Sequence, residues 1–153
     1  RDREIAANTL LIPYPYPNGA AEEWIQHAHQ SYNSGDSYQF AIVPKNIGQM
    51  IGVIGLGLRT EHRRGELGYW IGKPYWNHGY ATEASRALFG FAFSQLNMHR
   101  IYAETKAKNG RARALAKQLG MQLEGILRQT QFFRGEWWDT AVYSVLKQEW
   151  QQG

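Results

Sequence analysis

The residues from Glu66 to Ala84 combine a strand pattern, a turn and a helix pattern in an order that favours binding of an anion. The strand ends near Ile71, Pro74 lies in the turn, and Gly79 precedes the amphipathic helix. The first N–H groups of a helix have no partner within it, and the helix dipole adds partial positive charge beside them. This turn is therefore a predicted phosphate-binding loop. The alternative is that Gly79 only allows a tight turn.

The loop Trp76-Asn77-His78-Gly79-Tyr80-Ala81 resembles the acyl-CoA pyrophosphate loop of the GNAT acetyltransferases, written Gln/Arg-x-x-Gly-x-Gly/Ala. Trp76 stands where Gln or Arg usually stands, a replacement common in the branch that resembles the RimJ/RimL ribosomal-protein N-terminal acetyltransferases. Three segments further along also match the family: Ile101–Thr105, Asn109-Gly-Arg-Ala112 with Leu119-Gly-Met121, and Glu124-Gly-Ile-Leu-Arg128 with Gly135-Glu-Trp-Trp-Asp139. The resemblance covers the chain from about residue 8 onward.

The resemblance implies the GNAT fold, of the α/β (α+β) class. Its central sheet is mixed and largely antiparallel, is flanked by helices, and is splayed at the strand before the pyrophosphate loop. We expect one acetyltransferase domain over residues 1–153, without the first strand of the fold and most of its first helix. The gap beside the splayed strand is where this family receives its cofactor.

The resemblance also implies direct transfer of an acetyl group from acetyl-CoA, as co-substrate, to an amine. Backbone amides from Asn77 to Thr82 would hold the pyrophosphate, and the end of the strand would pair with the pantetheine arm as another strand would. His78 is tempting as a base, but its loop position makes it a phosphate contact or a plain loop residue. The residues expected to contact acetyl-CoA are Trp70, Ile71, Trp76, Asn77, His78, Gly79, Tyr80, Ala81, Thr82, Asn109, Arg111 and Ala112.

Amine acetylation needs a base, because a free α-amine has a pKa of ~8 and a lysine one of ~10.4. Glu66 is the first candidate, acting directly or through water, since it begins the strand that leads to the expected thioester site. The alternative is a solvent-facing charge at a strand edge. Glu104, on the neighbouring predicted strand, is the second candidate.

One position departs from the family pattern. Many relatives place Ser three residues after the helix-capping Asn, where its hydroxyl can protonate the CoA sulfur, whereas this chain has Ala112 three residues after Asn109. A thiol with a pKa of ~8.5 is a tolerable leaving group, so water or the backbone can suffice. Tyr102 is a conceivable substitute donor. Asn109 is a candidate contact to the pantetheine or sulfur region, although a role as helix N-cap already explains it.

Composition restricts the class of protein. The 153 residues are 43% hydrophobic and 20% charged, which suits one soluble globular domain, and no apolar run reaches the length of a membrane span. The absence of cysteine excludes disulfides and a cysteine nucleophile, and weakly favours a cytoplasmic location. The five histidines are scattered, so no metal is expected. The net charge of +4 and pI near 9.4 suit a polyanionic ligand such as CoA, or merely solubility, and nucleic acid is a minor hypothesis.

Local patterns predict the elements that must position these residues. Asp2–Asn8 could end a first helix, residues 10–18 contain three alternating prolines that favour extended backbone, and Asn18 caps a helix ending near Asn33. A helix follows Gly79, with Ala81, Ala84, Leu88, Phe91, Ala92 and Leu96 as its apolar face, and another runs from Asn109 to Gly120. Arg134-Gly-Glu reads as a hairpin turn. The predicted strands are Tyr38–Val43, Gln49–Arg59, Glu66–Ile71, Arg100–Thr105, Met121–Phe133 and Trp137–Leu146.

The favoured acceptor is a protein N-terminal α-amine, of the ribosomal-protein type, and this expectation rests on the resemblance alone. Two aromatic segments, Ile12–Tyr16 and Gln131–Trp138, are expected to wall the acceptor site. A small amine such as a polyamine, amino acid or aminoglycoside is the alternative acceptor. A non-catalytic acyl-CoA-binding module is the alternative from another class, encouraged by Ala112. We expect no membrane partner, and a monomer or homodimer.

Overall fold

The computed structural model of this chain describes residues 37–150. The predicted helices at 2–8 and after Asn18, the proline segment at 10–18 and the aromatic segment Ile12–Tyr16 lie outside the described residues. The described helices are α1 (Tyr80–Ser94) and α2 (Gly110–Gln118). The strands are β1 (Ser37–Ile42), β2 (Gly52–Arg59), β3 (Arg64–Ile71), β4 (Arg100–Lys106), β5 (Gln122–Phe133) and β6 (Glu136–Leu146).

The six strands form one sheet in the order β1-β2-β3-β4-β6-β5. Every neighbouring pair is antiparallel except β3 and β4, which are parallel and are connected through α1. A parallel pair needs such a crossover, because its second strand must begin at the same edge of the sheet as the first. The predicted α/β class, with a mixed and largely antiparallel sheet, is confirmed.

Glycines in β2 allow its neighbours to approach closely. The register of β2 with β1 and β3 is continuous, and a Cβ at Gly55 would collide with the Tyr38 carbonyl and the Gln39 side chain. A Cβ at Gly52 would collide with the Trp70 carbonyl. Glycines in a strand can mark either a bulge or a close approach of backbones; here they mark close approach, and β2 contains no bulge.

Both described helices pack on the same face of the sheet and share one hydrophobic core with it. Leu67, Ile71, Ile101 and Tyr143 lie in this core with Leu88 of α1 and Leu115 of α2. The predicted apolar face of α1 is partly wrong, because Tyr80, Phe89 and Phe93 are buried while Ala81, Phe91 and Leu96 are only half-buried. Phe89 and Phe93 turn towards Trp150, with ring centroids 5.3 and 6.2 Å away, so α1 packs on the C-terminal segment as well as on the sheet.

Local turns are as predicted. The Asn109 side chain accepts the Ala112 N–H at 3.0 Å as the N-cap of α2, and Gly120 follows that helix with φ +78°. Arg134 and Gly135 both have positive φ, 54° and 78°, as a tight hairpin turn requires. Within residues 37–150 no helix is long and apolar enough to cross a membrane.

Candidate active site

Strands β3 and β4 separate after a short paired segment. Arg64, Gly65 and Glu66 pair with Arg100, Ile101 and Tyr102, whereas β3 continues to Ile71 and β4 to Lys106 without further pairing between them. This divergence is the predicted splay. It opens a cleft of about 600 Å³ between the two strands, α1 and α2. A cleft of this size holds small molecules and cofactors.

One end of the cleft is the turn that leads into α1. Lys73–Tyr75 forms a 3-10 turn with Pro74 in its first positions, and Gly79 precedes α1 with φ +82°. The first hydrogen bond of the helix runs from the Glu83 N–H to the Gly79 carbonyl, at 3.0 Å. The backbone N–H groups of Ala81 and Thr82 precede Glu83 and therefore have no acceptor within the helix. This arrangement directs backbone donors and the positive end of the dipole of α1 towards the cleft.

Most of the residues predicted to contact acetyl-CoA lie together around this cleft. His78 does not line it: its side chain is exposed, and its ring stacks on that of Tyr80 with centroids 5.8 Å apart. The predicted residues that line the cleft are Trp70, Ile71, Trp76, Asn77, Gly79, Tyr80, Ala81, Thr82, Asn109, Arg111 and Ala112. Their contact with acetyl-CoA stays a prediction.

The end of β3 presents its backbone groups alternately to its two neighbours. The Trp70 carbonyl faces Gly52 on β2, so the backbone of Ile71, one residue further on, faces the side from which β4 has separated. The Ile71 carbonyl accepts a hydrogen bond from the Trp76 indole Nε1 at 2.9 Å. Of the two residues expected to pair with the pantetheine arm, Ile71 is the one whose carbonyl points towards the cleft.

The three predicted catalytic residues meet where the strands separate. Glu66 and Tyr102 form the last β3–β4 pair, and the Tyr102 hydroxyl donates to Glu66 Oε1 in a long hydrogen bond of 3.5 Å. Glu104 follows Tyr102 on the same face of β4 and lines the cleft with Glu66. All three side chains lie on the face opposite the core, because Ile101 and Ala103 point into it.

The electrostatics of this cluster favour a proton acceptor. Burial raises the pKa of the Glu66 carboxyl, the negative charge of Glu104 raises it further, and the Tyr102 hydrogen bond opposes both. Burial and the nearby Glu66 charge raise the pKa of Tyr102, which keeps its hydroxyl protonated as a donor. A carboxylate with a raised pKa in a cleft is suited to receive a proton near neutral pH.

A hydrogen-bonded network behind Tyr102 was not predicted from the sequence. Arg100 lies over the Tyr102 ring at 5.2 Å and forms a two-contact ion pair with Glu124, at 2.5 and 3.2 Å. The Ser144 hydroxyl donates to the same Glu124 carboxylate at 2.5 Å. Arg100 and Ser144 together lower the pKa of Glu124. Glu124 belongs to the Glu-Gly-x-Leu-Arg motif, but only the strand order reveals its partner.

Alanine at position 112 leaves no hydroxyl at that point of the cleft. The Ala112 side chain lines the cleft, and its backbone N–H is used by the Asn109 cap. The Tyr102 hydroxyl, the suggested substitute, is directed to Glu66. Among residues 37–150 no group of three or more His, Asp or Glu side chains is placed to hold a metal ion.

The second predicted aromatic segment lies at the β5–β6 hairpin and is largely exposed. Phe132 and Trp137 are 61% and 58% exposed, and their rings are 5.0 Å apart. The Lys106 ammonium lies 4.5 Å from the Phe133 ring and 4.3 Å from the Trp138 ring. Lys106 ends β4 next to the cleft residue Thr105, whereas none of residues 131–138 lines the cleft. That this segment walls the acceptor site therefore stays a prediction.

Comparison with known proteins identifies the family. The family described as acetyltransferase (GNAT) domain matches residues 1–122. An uncharacterized N-acetyltransferase, p20 of Bacillus licheniformis, is 32% identical over 150 residues, which cover 97% of this chain and 84% of the relative. The [ribosomal protein uS5]-alanine N-acetyltransferase of Escherichia coli is 24% identical over 90% of this chain and 72% of its own length.

Solved structures agree with this assignment. A GNAT-family acetyltransferase from Bacillus anthracis superimposes with a TM-score of 0.68 at 27% identity, over 72% of this chain and 67% of that chain. The divergent β3–β4 pair and the turn before α1 are the features that the resemblance to this family predicted. This chain therefore belongs to the GNAT acetyltransferases, enzymes that move an acetyl group from acetyl-CoA to an amine.

Proposed function

We propose that this enzyme acetylates the N-terminal α-amine of a protein, of the ribosomal-protein type. The observation that carries the reaction is the position of Glu66, a carboxylate with a raised pKa at the point where β3 and β4 separate. The acceptor is supported by the relative from Escherichia coli, which is named for the alanine of ribosomal protein uS5. Because one fold serves many acceptors, the acceptor needs its own test.

The acetyl donor, acetyl-CoA, would bind on the side of the cleft that α1 and α2 form. The amides at the start of α1 would bind the pyrophosphate, and Gly79 leaves room for it because it has no Cβ. The pantetheine arm would pair with the β3 backbone at Ile71, where β4 has withdrawn. Asn109 would contribute through the start of α2, which it caps.

On the acceptor side, Glu66 takes a proton from the ammonium, directly or through one water. The neutral amine nitrogen then attacks the thioester carbonyl carbon and forms the new C–N bond. As the C–S bond breaks, the nitrogen loses its second proton to water and the thiolate sulfur takes a proton from water, which leaves the amide and the free thiol. A thiol with a pKa of ~8.5 leaves readily, which makes Ala112 compatible with turnover. Tyr102 holds the Glu66 carboxylate by its hydrogen bond, and Glu104 adds negative charge that attracts the cationic amine.

A small polyamine is the second candidate acceptor. The pair of carboxylates in the cleft, Glu66 and Glu104, would suit a ligand that carries more than one ammonium group. A peptide acceptor is favoured by the exposed aromatic rings of the hairpin that contacts the end of β4, since Trp and Phe rings contribute large contact areas to protein interfaces. A third reading, an acyl-CoA-binding module without activity, is favoured only by Ala112.

The deciding experiment measures acetyl-CoA turnover by thiol release against a panel of N-terminal peptides and small amines. The proposal expects turnover on peptides with a free α-amine and none on the same peptides with an acetylated N-terminus. Turnover confined to polyamines would replace the acceptor and keep the reaction. If no member of the panel is acetylated while calorimetry still shows CoA binding, the acyl-CoA-binding module is favoured.

A further inference from the structure

Two residues that line the cleft from different elements are stacked on each other. The Arg111 guanidinium carbon lies 3.5 Å from the centroid of the Trp76 ring. Trp76 belongs to the segment between β3 and α1, whereas Arg111 lies in the first turn of α2. Both residues line the cleft. The contact therefore brings a positive charge from α2 to the loop that precedes α1.

Trp76 is held so that its ring face is available for this contact. Its indole Nε1 donates to the Ile71 carbonyl at 2.9 Å, which fixes the edge of the ring against the end of β3. A guanidinium stacked flat on a ring uses its face for the contact and keeps its N–H donors in its own plane. Among residues 37–150 no hydrogen bond uses these donors, so Arg111 can bind a further acceptor in the cleft.

Two positive charges lie near the Trp76 ring, and the described residues do not neutralise them. The Lys73 ammonium lies 5.9 Å from the same Trp76 ring. In the part of the chain that the structure describes, neither Arg111 nor Lys73 forms an ion pair with a carboxylate. The charge of Arg111 also reaches into the cleft, where it opposes the burial that raises the pKa of Tyr69. Two cations placed on one ring repel each other, so an anion between them would be stabilising.

We propose that Arg111 binds the pyrophosphate of the acyl-CoA donor, and that it supplies from α2 the polar contact for which the family motif uses Gln or Arg at position 76. This inference rests on the proposed binding of acetyl-CoA and names one residue that binds its pyrophosphate. Trp76 is then a positioning residue, because it cannot neutralise phosphate itself but holds the guanidinium that does. A guanidinium suits this role since its N–H pairs match two phosphate oxygens at once.

The test compares ligands that differ in their phosphate groups. CoA carries the pyrophosphate and a 3′-phosphate on its adenosine, dephospho-CoA keeps the pyrophosphate alone, and acetyl-pantetheine has the same arm without adenosine or any phosphate. Arg111→Ala should weaken the binding of CoA and of dephospho-CoA equally, by about 10- to 100-fold, the range for one or two charge-assisted hydrogen bonds, and leave acetyl-pantetheine binding unchanged. Lys117→Ala removes the same charge from the far end of the same helix, and as the matched control it should bind all three ligands as the wild type does.

A second variant moves the guanidinium to position 76. Trp76→Arg combined with Arg111→Ala should recover most of the lost CoA affinity, because the new guanidinium starts from the position that the family motif gives to Gln or Arg. Trp76→Phe alone should weaken CoA binding less than Arg111→Ala, since the ring remains but its hydrogen bond to Ile71 is lost. Isothermal calorimetry at two salt concentrations gives the affinities, and circular dichroism confirms the folding of each variant.

Three results would overturn the inference. One is unchanged CoA affinity in Arg111→Ala, and another is an equal loss of CoA and acetyl-pantetheine affinity. The third is an equal loss of CoA affinity in Lys117→Ala, which would mean that only the net charge of α2 matters. In each of these cases the wild-type enzyme still binds CoA, so the proposed function survives. A wild-type chain that binds no CoA would overturn both proposals.

Discussion

The Tyr102 hydroxyl and Glu66 Oε1 are 3.5 Å apart, on the last residue pair that β3 and β4 share before they separate. The hydrogen bond therefore lies at the closed end of the cleft, where the two strands still hold each other in register. Its donor is itself fixed from behind, through the Arg100 guanidinium and the Glu124 carboxylate. If Glu66 is the base, as we propose, a carboxylate held in this way needs little reorganisation before it accepts a proton.

Replacing Glu66 tests its role as the base. Glu66→Gln keeps the size of the side chain and removes the proton acceptor, so the rate of acetyl transfer at neutral pH should fall by about 10²-fold or more. CoA affinity should stay nearly intact, because the donor is expected on the opposite side of the cleft. Stopped-time thiol release and calorimetry measure the two quantities. Glu61→Gln, an exposed charge in the turn before β3, is the matched control, and an unaffected rate in Glu66→Gln would exclude the base.

Two neighbours of Glu66 should move the pH profile in opposite directions. If Glu66 must be deprotonated, kcat/KM rises with pH as its carboxyl loses its proton. Glu104→Gln removes a negative charge that raises the pKa of Glu66, so the rise should move to lower pH. Tyr102→Phe removes a hydrogen bond that lowers the same pKa, so the rise should move to higher pH. Shifts of the same sign in both variants would contradict this arrangement.

Position 79 should decide cofactor affinity. Gly79→Glu adds a side chain at φ +82° and a carboxylate where phosphate is expected, so CoA binding should weaken by more than about 10²-fold. Gly79→Asn is the control, because Asn tolerates this backbone conformation and carries no charge. Calorimetry measures affinity and thermal melting measures folding. Equal CoA affinity in wild type and Gly79→Glu would remove the loop from the site.

Restoring the family hydroxyl at position 112 tests how the sulfur is protonated. Ala112→Ser places a donor on the wall of the cleft, and kcat should rise by at most about tenfold, because a thiol already leaves readily. Ala112→Val adds bulk without a hydroxyl and should not raise kcat. Steady-state kinetics with a saturating peptide compares the three enzymes. A slower Ala112→Ser enzyme would show that this chain has adapted to the absence of the hydroxyl.

The Glu124 carboxylate should contribute to the free energy of unfolding at neutral pH and lose that contribution in acid. The hydrogen bonds from Arg100 and Ser144 lower the pKa of Glu124 from its ordinary value of 4.5. Its contribution to folding is therefore complete above that value and disappears as the pH falls through the lowered pKa. Because the pair is partly exposed, Glu124→Gln should cost at most about 1 kcal/mol at neutral pH.

Urea denaturation at several pH values measures this difference. The gap between the wild type and Glu124→Gln should close in acid. Glu136→Gln, an exposed carboxylate at the start of β6, should show no gap at any pH. A gap that persists below the folded pKa would mean that the two proteins differ by more than the charge of Glu124.

Local interactions made much of the fold readable from the sequence. Caps and turns form through hydrogen bonds between residues within about four positions of each other, so residue type predicts them well. The structure has them at Gly79, Asn109, Gly120 and Arg134-Gly135, as predicted. Strand boundaries differ by up to three residues, as at β2, which begins at Gly52 instead of Gln49. The splay of β3 from β4 was predicted only through the family resemblance.

Contacts between distant residues required the tertiary structure. Arg100 meets Glu124 and Arg111 meets Trp76 because strand order and the crossover through α1 bring these residues together, and no local pattern encodes that. The burial of Phe89 and Phe93 likewise depends on where Trp150 returns to α1.

The sequence by itself determined the turn that is predicted to bind phosphate, the resemblance to the family, and Glu66 as the candidate base, since these depend on residue types at short spacing. Only the tertiary structure decided that Tyr102 and Glu104 surround that base, that Ile71 and not Trp70 turns its carbonyl to the cleft, and that Arg111 lies on Trp76. The physical reason is that charge and hydrogen bonding act through space, between side chains that the chain brings together only after the sheet has formed.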